Sequence, residues 1–220
     1  MNFFIEFILH IDVHLGEFIS TYGVLTYLIL FVIVFCETGL VVAPFLPGDS
    51  MLFAAGAFAA IGSLNVALLF VLLAAAAILG DTVNYSIGRK LSHLIVEKRK
   101  FRFIKQKNID QAMTFFDRHG GKTIVIARFI PIIRTFAPFV AGSARMRYSY
   151  FIRYNFVGGL CWVALFTFGG FLFGNVPWVK DNFSIIIIAI ILISLVPAVI
   201  MAFATRKKAP AQEQDKAEQV

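Results

Sequence analysis

The chain has 220 residues, 59% of them hydrophobic and 15% charged, with 25 phenylalanines and a mean hydropathy of +0.81. A soluble domain carries about 45–50% apolar and about 25% charged residues, so this chain lacks the polar surface to cover itself in water. Soluble enzymes, secreted disulfide scaffolds and disordered tails are excluded. The net charge of +7 does not point to nucleic acid, because the Lys and Arg residues gather beside apolar segments: eight lie between 89 and 107, three in 145–153 and three in 206–208. That is the positive-inside pattern, and it assigns all three places to the cytoplasmic side.

In chain order, Phe3, Phe4, Phe7, Ile8, Ile11, Leu15, Phe18 and Ile19 recur at three- and four-residue spacing, predicting an amphipathic helix over 1–20 on the membrane surface or against the bundle. Glu6, Asp12 and Glu17 without Lys or Arg do not fit a signal peptide. His10 and His14 share a helical face, but no further ligands stand nearby, so no metal is expected. Uncharged runs follow at 18–36, 50–80, 154–179 and 182–205, each near or above the roughly 20 residues a helix needs to cross the hydrocarbon.

The first apolar helix ends in Glu37-Thr38-Gly39-Leu40-Val41-Val42-Ala43-Pro44-Phe45-Leu46-Pro47-Gly48-Asp49. Two carboxylates, two prolines and glycines cannot sit in a continuous lipid-facing helix; irregular backbone at membrane depth is buried in protein or lines a wet cavity. An ordinary external loop between two spans is the competing reading. Run 50–80 would extend about 46 Å as one helix against a core of about 30 Å, so it contains a return arm, a turn at Ile61-Gly62-Ser63-Leu64-Asn65 and a span. A first re-entrant hairpin is therefore expected at about 22–62, a span at about 64–88 and a basic cytoplasmic segment at 89–119. That segment includes a short amphipathic helix around Ile109, Ala112, Met113 and Phe116 that Gly120-Gly121 ends.

A second interrupted segment mixes Arg128, Pro131, Arg134, Pro138 and Gly142 into apolar sequence between two cytoplasmic stretches, predicting a second re-entrant hairpin at about 121–145. Spans are expected at about 154–177 and 183–205, then a polar cytoplasmic tail at 206–220. Ala43-Pro44-Phe45-Leu46-Pro47-Gly48 lies over Ala137-Pro138-Phe139-Val140-Ala141-Gly142, and the spans that follow run in opposite directions. The fold expected is an all-α integral membrane protein: a polytopic helical bundle with two opposed re-entrant hairpins in inverted repeat plus amphipathic interfacial helices. Interrupted, inverted halves are how many secondary transporters are built.

Glu37, Asp49, Arg128 and Arg134 sit in the broken segments, where an ionised side chain costs at least about 2.5–3.5 kcal/mol and needs a partner, a cavity or a function. Ion pairs locking two hairpins together are one reading. The other is functional: carboxylates at low dielectric accept protons more readily than in water, and arginine presents a fork suited to phosphate. Carboxylates and arginines together suit proton-linked movement of an anionic headgroup. Asp81, just inside the end of the longest apolar run, joins Glu37 and Asp49 as a proton-coupling residue. Asn84, Tyr85, Gly88 and Arg89 form a secondary cluster with it near the cytoplasmic end, where Tyr85 reads as an interface anchor. Gly39, Pro44, Pro47, Gly48, Pro131, Pro138 and Gly142 shape the hairpins. Trp162 reads as packing, Trp178 as an interface anchor, and Cys36 and Cys161 as small buried hydrophobes. His93 and His119 stand apart from His10 and His14, and no paired-carboxylate metal motif, Gly-x-Ser-x-Gly elbow or phosphate-cradling loop appears. Neither an enzyme nor a cofactor is expected.

Phe-Cys-Glu37-Thr-Gly39-Leu-Val-Val-Ala-Pro44-Phe-Leu-Pro47-Gly48-Asp49-Ser, Gly80-Asp81-x-x-Asn-Tyr85-x-x-Gly88-Arg89 and Ala-Arg128-Phe-Ile-Pro131-x-x-Arg134-Thr-Phe-Ala-Pro138-Phe-x-Ala-Gly142 closely resemble the bacterial DedA family, which shares the VTT domain with eukaryotic endoplasmic-reticulum lipid scramblases. The N-terminal Phe-Ile-Leu-His-Ile-Asp-Val-His-Leu resembles the branch that gives the family its name. The likeness covers about 7–205. It implies a multi-pass bacterial inner-membrane protein with two opposed hairpins, an acidic pair at Glu37 and Asp49 and an arginine pair at Arg128 and Arg134. Members are implicated in moving undecaprenyl phosphate or phospholipids such as phosphatidylethanolamine between leaflets and in proton-motive-force homeostasis. The expected function is translocation of a lipid phosphate coupled to the proton motive force, with membrane lipids and protons or another coupling cation as partners, no nucleic acid, and room for a homo-oligomer. The alternatives are a proton-linked small-cation antiporter and a non-transporting homeostasis or assembly factor with structural ion pairs.

Overall fold

The computed structural model describes residues 19, 21–40, 48–98, 120–182, 185–186 and 188–190. The N-terminal helix expected over 1–20 (Ile19 apart), Pro44 and Pro47, most of the basic segment 89–119 with its amphipathic helix, and most of the span expected at 183–205 and the tail lie outside them.

No strand occurs among the described residues, and seven helices have defined bounds: α1 (Leu25–Gly39), α2 (Gly48–Ala60), α3 (Val66–Lys98), α4 (Lys122–Ala127), α5 (Pro131–Ser143), α6 (Tyr148–Phe173) and α7 (Pro177–Asp181). Two are long and apolar enough to cross a membrane, Val66–Leu91 within α3 and Tyr148–Phe173, each 26 residues and so about 39 Å. Only 39% and 33% of their apolar windows are buried. Leu68, Val71 and Leu79 of α3 and Phe156, Leu165 and Leu172 of α6 face outward, a surface that hydrocarbon satisfies and water does not. Helix α3 continues past the boundary expected at 88, and α6 opens at Tyr148, inside the basic stretch expected to precede its span.

The turn after α2 stands where expected: Gly62 takes φ +85°, which glycine adopts without strain. Asn65 then caps α3, its Oδ1 accepting from Leu68 N–H at 3.0 Å, while its own N–H donates to Tyr27 Oη at 2.6 Å. The start of α1, the end of α2 and the start of α3 thus share one end of the bundle. Asn175, just past α6, donates to the Ala60 carbonyl at 2.9 Å and belongs to the same end. At the other end, Gly121 N–H donates to Tyr150 Oη at 3.1 Å, Ser143 Oγ donates to the Gly88 carbonyl at 3.2 Å, and Tyr85 Oη donates to the Met146 carbonyl. Helices α3 and α6 are therefore antiparallel, and Arg89, Lys122, Arg145 and Arg147 cluster at this second end.

Helix α2 packs mainly on α6, and α5 mainly on α3; α1 lies on α3 as α4 lies on α6. Both exchanged pairs meet backbone to backbone. A Cβ on Gly56 would stand 2.0 Å from the Thr167 carbonyl oxygen and one on Gly170 1.9 Å from that of Phe53. In the other pair a Cβ on Gly88 would stand 2.1 Å from the Phe139 oxygen and one on Gly142 2.0 Å from that of Tyr85. Small residues permit this approach, which lipid-embedded helix pairs favour. The correspondence sets Phe53 and Gly56 over Phe139 and Gly142, and Tyr85 and Gly88 over Thr167 and Gly170. The sequence likeness instead matched Gly48 to Gly142; Gly48 opens α2, whereas Gly142 stands in the last turn of α5.

Two apolar clusters fill the interior. Leu69, Leu73 and Ala77 of α3 pack with Val34, Leu52, Trp162 and Val163; further along α3, Tyr85 packs with Ile124, Ala141 and Phe151. Asp81 and Asn84 lie between the two along α3.

Candidate functional site

Among the described residues five charged side chains are buried: Glu37, Asp49, Asp81, Arg128 and Arg134. Each is placed where a helix begins, ends or breaks, or on the buried face of α3. Glu37 occupies the last turn of α1, Asp49 the first turn of α2, and Arg134 the first turn of α5, which opens at Pro131. Arg128 caps α4 at the break between α4 and α5. Asp49 lies where a helix N-terminus favours an anion.

Arg134 holds both members of the acidic pair, Nη1 donating to Asp49 Oδ1 and Nη2 to Glu37 Oε1. Arg128 takes a different partner: its Nη2 donates to Asp81 Oδ2 at 2.6 Å and to the Ala77 carbonyl at 3.3 Å, while Nη1 donates to the Asn155 carbonyl at 3.2 Å and Oδ1 at 3.1 Å. Asn155 completes the frame by donating to the Ile78 carbonyl at 3.1 Å. Ala77, Ile78 and Asp81 stand midway along Val66–Leu91, so Asp81 lies at mid-span rather than near the cytoplasmic end. The apolar run broken at Asp81 continues as helix through Val83, Ile87 and Leu91.

Backbone chemistry supports the cluster. Gly48 lies against the Glu37 carboxylate; a Cβ there would stand 2.0 Å from Oε2. Pro138 lies inside α5 and has no N–H, which releases the Arg134 carbonyl from its helical donor. Gly39 lets α1 reach α3: its Cβ would meet Gly80 Cα at 3.3 Å. Asn84 donates to the Thr38 carbonyl at 3.0 Å and the Thr135 carbonyl at 2.7 Å, tying α1 and α5 to α3. Because both partners accept, the amide nitrogen must face them, and Oδ1 finds no donor among the described residues.

The secondary cluster divides. Asn84 joins the central site. Tyr85 is buried, not an interface anchor: its ring stacks on Phe151 at 4.5 Å and its hydroxyl reaches Met146. Gly88 serves helix packing, and Arg89 is exposed, its Nη1 3.4 Å from Tyr85 Oη. Sequence reasoning missed Asn155 and assigned Trp162 to packing. Trp162 Nε1 donates to Asp49 Oδ1 at 2.9 Å, and the guanidinium carbons of Arg134 and Arg128 lie 4.8 and 5.8 Å from its ring centroid. The available signals were a tryptophan in mid-span, away from the interfaces where that residue concentrates, and a lone asparagine in an apolar run. Cys161 is exposed and Cys36 half-buried, so neither is the buried hydrophobe expected. No group of three or more His, Cys, Asp and Glu side chains that could hold a metal occurs among the described residues.

A helical bundle with two membrane-length apolar helices and five ionisable side chains gathered at mid-span is a polytopic membrane protein with a buried polar site. Residues 46–172 match the VTT domain model. The chain is 52% identical over 200 residues to "Protein DedA" of Escherichia coli K12, covering 90% of this chain and 91% of that protein. It is 40% identical over 191 residues to "Uncharacterized membrane protein Rv0364" of Mycobacterium tuberculosis H37Rv, covering 84% of each. With "Inner membrane protein YghB" of E. coli K12 it shares 35% over 156 residues, 71% of each. The chain belongs to the DedA family of VTT-domain membrane proteins. No solved structure matches it.

Proposed function

We propose that this protein translocates a lipid phosphate, undecaprenyl phosphate or a phospholipid such as phosphatidylethanolamine, between the leaflets of the bacterial inner membrane, coupled to the proton motive force. The observation that carries the reading is the imbalance at mid-span: three carboxylates share two guanidiniums. A phosphate headgroup competes with the carboxylates for the arginines, and a displaced carboxylate in low dielectric is neutralised by taking up a proton. The apolar tail stays in lipid, so only the headgroup needs a polar path.

The two arginines differ in how readily they exchange partners. Arg128 is bonded to a carboxylate, an amide and two backbone carbonyls, whereas Arg134 holds two carboxylates and its Nε finds no partner among the described residues. Arg134 is therefore the primary headgroup residue and Arg128 its support, with Glu37, Asp49 and Asp81 as the acidic side of the exchange.

The architecture that accompanies this function is a pair of opposed re-entrant hairpins, α1–α2 and α4–α5, in inverted repeat. Three observations support it. Helices α1, α2 and α5, at 15, 13 and 13 residues, extend only about 20–22 Å, too short for a core of about 30 Å. Each pair begins and ends at the same end of the bundle, and the two pairs at opposite ends. The reciprocal glycine contacts occur once in each exchanged pair.

The test is reconstitution into liposomes with labelled undecaprenyl phosphate under an imposed pH gradient. Wild type gives gradient-dependent flipping above protein-free vesicles and Arg134→Ala does not; equal rates in the two proteins overturn the reading. The four hydrogen bonds that hold Arg128 favour the rival view of purely structural ion pairs. Restored activity in the charge exchange Glu37→Arg with Arg134→Glu would decide for that rival.

A further inference from the structure

Trp162 is fully buried on α6 and touches both arginine networks. Its Nε1–H donates to the same Asp49 oxygen that accepts from Arg134 Nη1. Both guanidiniums stand within the about 6 Å at which an aromatic face attracts a cation. The two carboxylates that share Arg134 are consequently unlike. Asp49 has an indole donor that does not depend on Arg134. Among the described residues no side chain but Arg134 donates to Glu37, whose Oε2 lies against Gly48. When an anionic headgroup takes the N–H groups of Arg134, Asp49 keeps the indole and Glu37 keeps no side-chain donor among the described residues.

We propose that Trp162 is a positioning residue that divides the acidic pair: it keeps a hydrogen-bond donor on Asp49 throughout, leaves Glu37 as the carboxylate that takes the proton, and offers Arg134 a ring face during the exchange. The charged groups that face Glu37 are Arg134 from α5 and Asp49 from α2; Asp81 of α3, paired with Arg128, faces Arg134. Once Arg134 is engaged by phosphate, the Asp49 charge beside Glu37 opposes a second negative charge there. No covalent step is involved; the proton comes from water on uptake and returns to water on release. This inference rests on the reading that Arg134 receives the headgroup.

The chain has two tryptophans, and Trp178 is exposed, so Trp178→Phe leaves Trp162 as the sole indole reporter. This protein, purified in detergent, is titrated with a water-soluble short-chain prenyl phosphate, binding being followed with radiolabelled compound and proton uptake with an indicator dye in weak buffer. Expected are a saturable change in Trp162 emission that tracks binding and proton uptake that falls about fivefold in Glu37→Gln but persists in Asp49→Asn. In Trp162→Phe, which keeps a ring and loses the N–H, uptake per phosphate bound rises, and adding Asp49→Asn returns it to the wild-type level. Binding without an emission change, or uptake lost equally in Glu37→Gln and Asp49→Asn, overturns the role of Trp162 alone. Both arms retain Trp162, so a folding failure of Trp162→Phe does not decide the matter. No saturable binding, or binding unaltered in Arg134→Gln, overturns the headgroup reading and this inference with it.

Discussion

Asp81 and Arg128 are each more valuable to the other than to the protein. Removing one partner of a buried pair leaves an uncompensated charge and costs about 3–5 kcal/mol, whereas replacing both by apolar groups of similar volume is often close to neutral. Asp81→Ala should therefore lower the thermal midpoint of the detergent-purified protein sharply, and Asp81→Leu with Arg128→Met should recover most of the loss. Equal midpoints for the single and double variants would show that the pair does not interact. Asn84 offers a second test at this scale. Its side chain supplies hydrogen bonds to carbonyls of two different helices, so Asn84→Leu should cost about 1–3 kcal/mol in the same melt. A change within error would mean that water or another donor satisfies those carbonyls. The acidic and arginine pairs were legible residue by residue, because charges are conspicuous in apolar sequence. Which carboxylate met which arginine was not, since the partners are separated by 47 to 97 positions along the chain.

Between elements, the four glycines at the two exchanged helix pairs are the least forgiving positions. A methyl group at Gly56, Gly170, Gly88 or Gly142 meets a backbone carbonyl at 1.9–2.1 Å, and backbone cannot swing aside as a flexible side chain can. Each Gly→Ala should destabilise by about 1–3 kcal/mol through helix displacement. Gly169→Ala is the control: nothing lies within 4 Å of its Cβ, and alanine there removes glycine's entropic cost within α6. A Gly142→Ala protein as stable as Gly169→Ala would refute the close approach. From sequence the glycines read as hairpin shapers, and the repeat was aligned through a prolyl-glycyl likeness. Local resemblance did not reveal these contacts because they are a property of packing, each glycine facing a carbonyl of another helix.

The whole molecule has a polarity that labelling can measure. The turn after α2 and Asn175 share one end of the bundle, and Arg89, Arg145 and Arg147 share the other. The positive-inside rule predicts that the basic end is cytoplasmic. In a background with Cys36 and Cys161 replaced, a cysteine at Ser63 or Asn175 should react with an impermeant maleimide on intact cells, and one at Arg147 only after permeabilisation. Labelling of Ser63 and Arg147 from the same side would overturn this topology.

Composition alone determined that the chain is a helical membrane protein, since 59% apolar residues leave too little polar surface for water and backbone groups in lipid must bond within helices. The order of charge, proline and glycine further marked where the helices break. Tertiary structure decided what the breaks accomplish. It set Asp81 at mid-span against Arg128, gave Glu37 and Asp49 a single shared arginine, and brought the Trp162 ring within reach of both guanidiniums. The physical reason is one of range. Partition into lipid is summed residue by residue along the chain, but a charge at low dielectric is settled only by the atom that meets it, and that atom is chosen by packing.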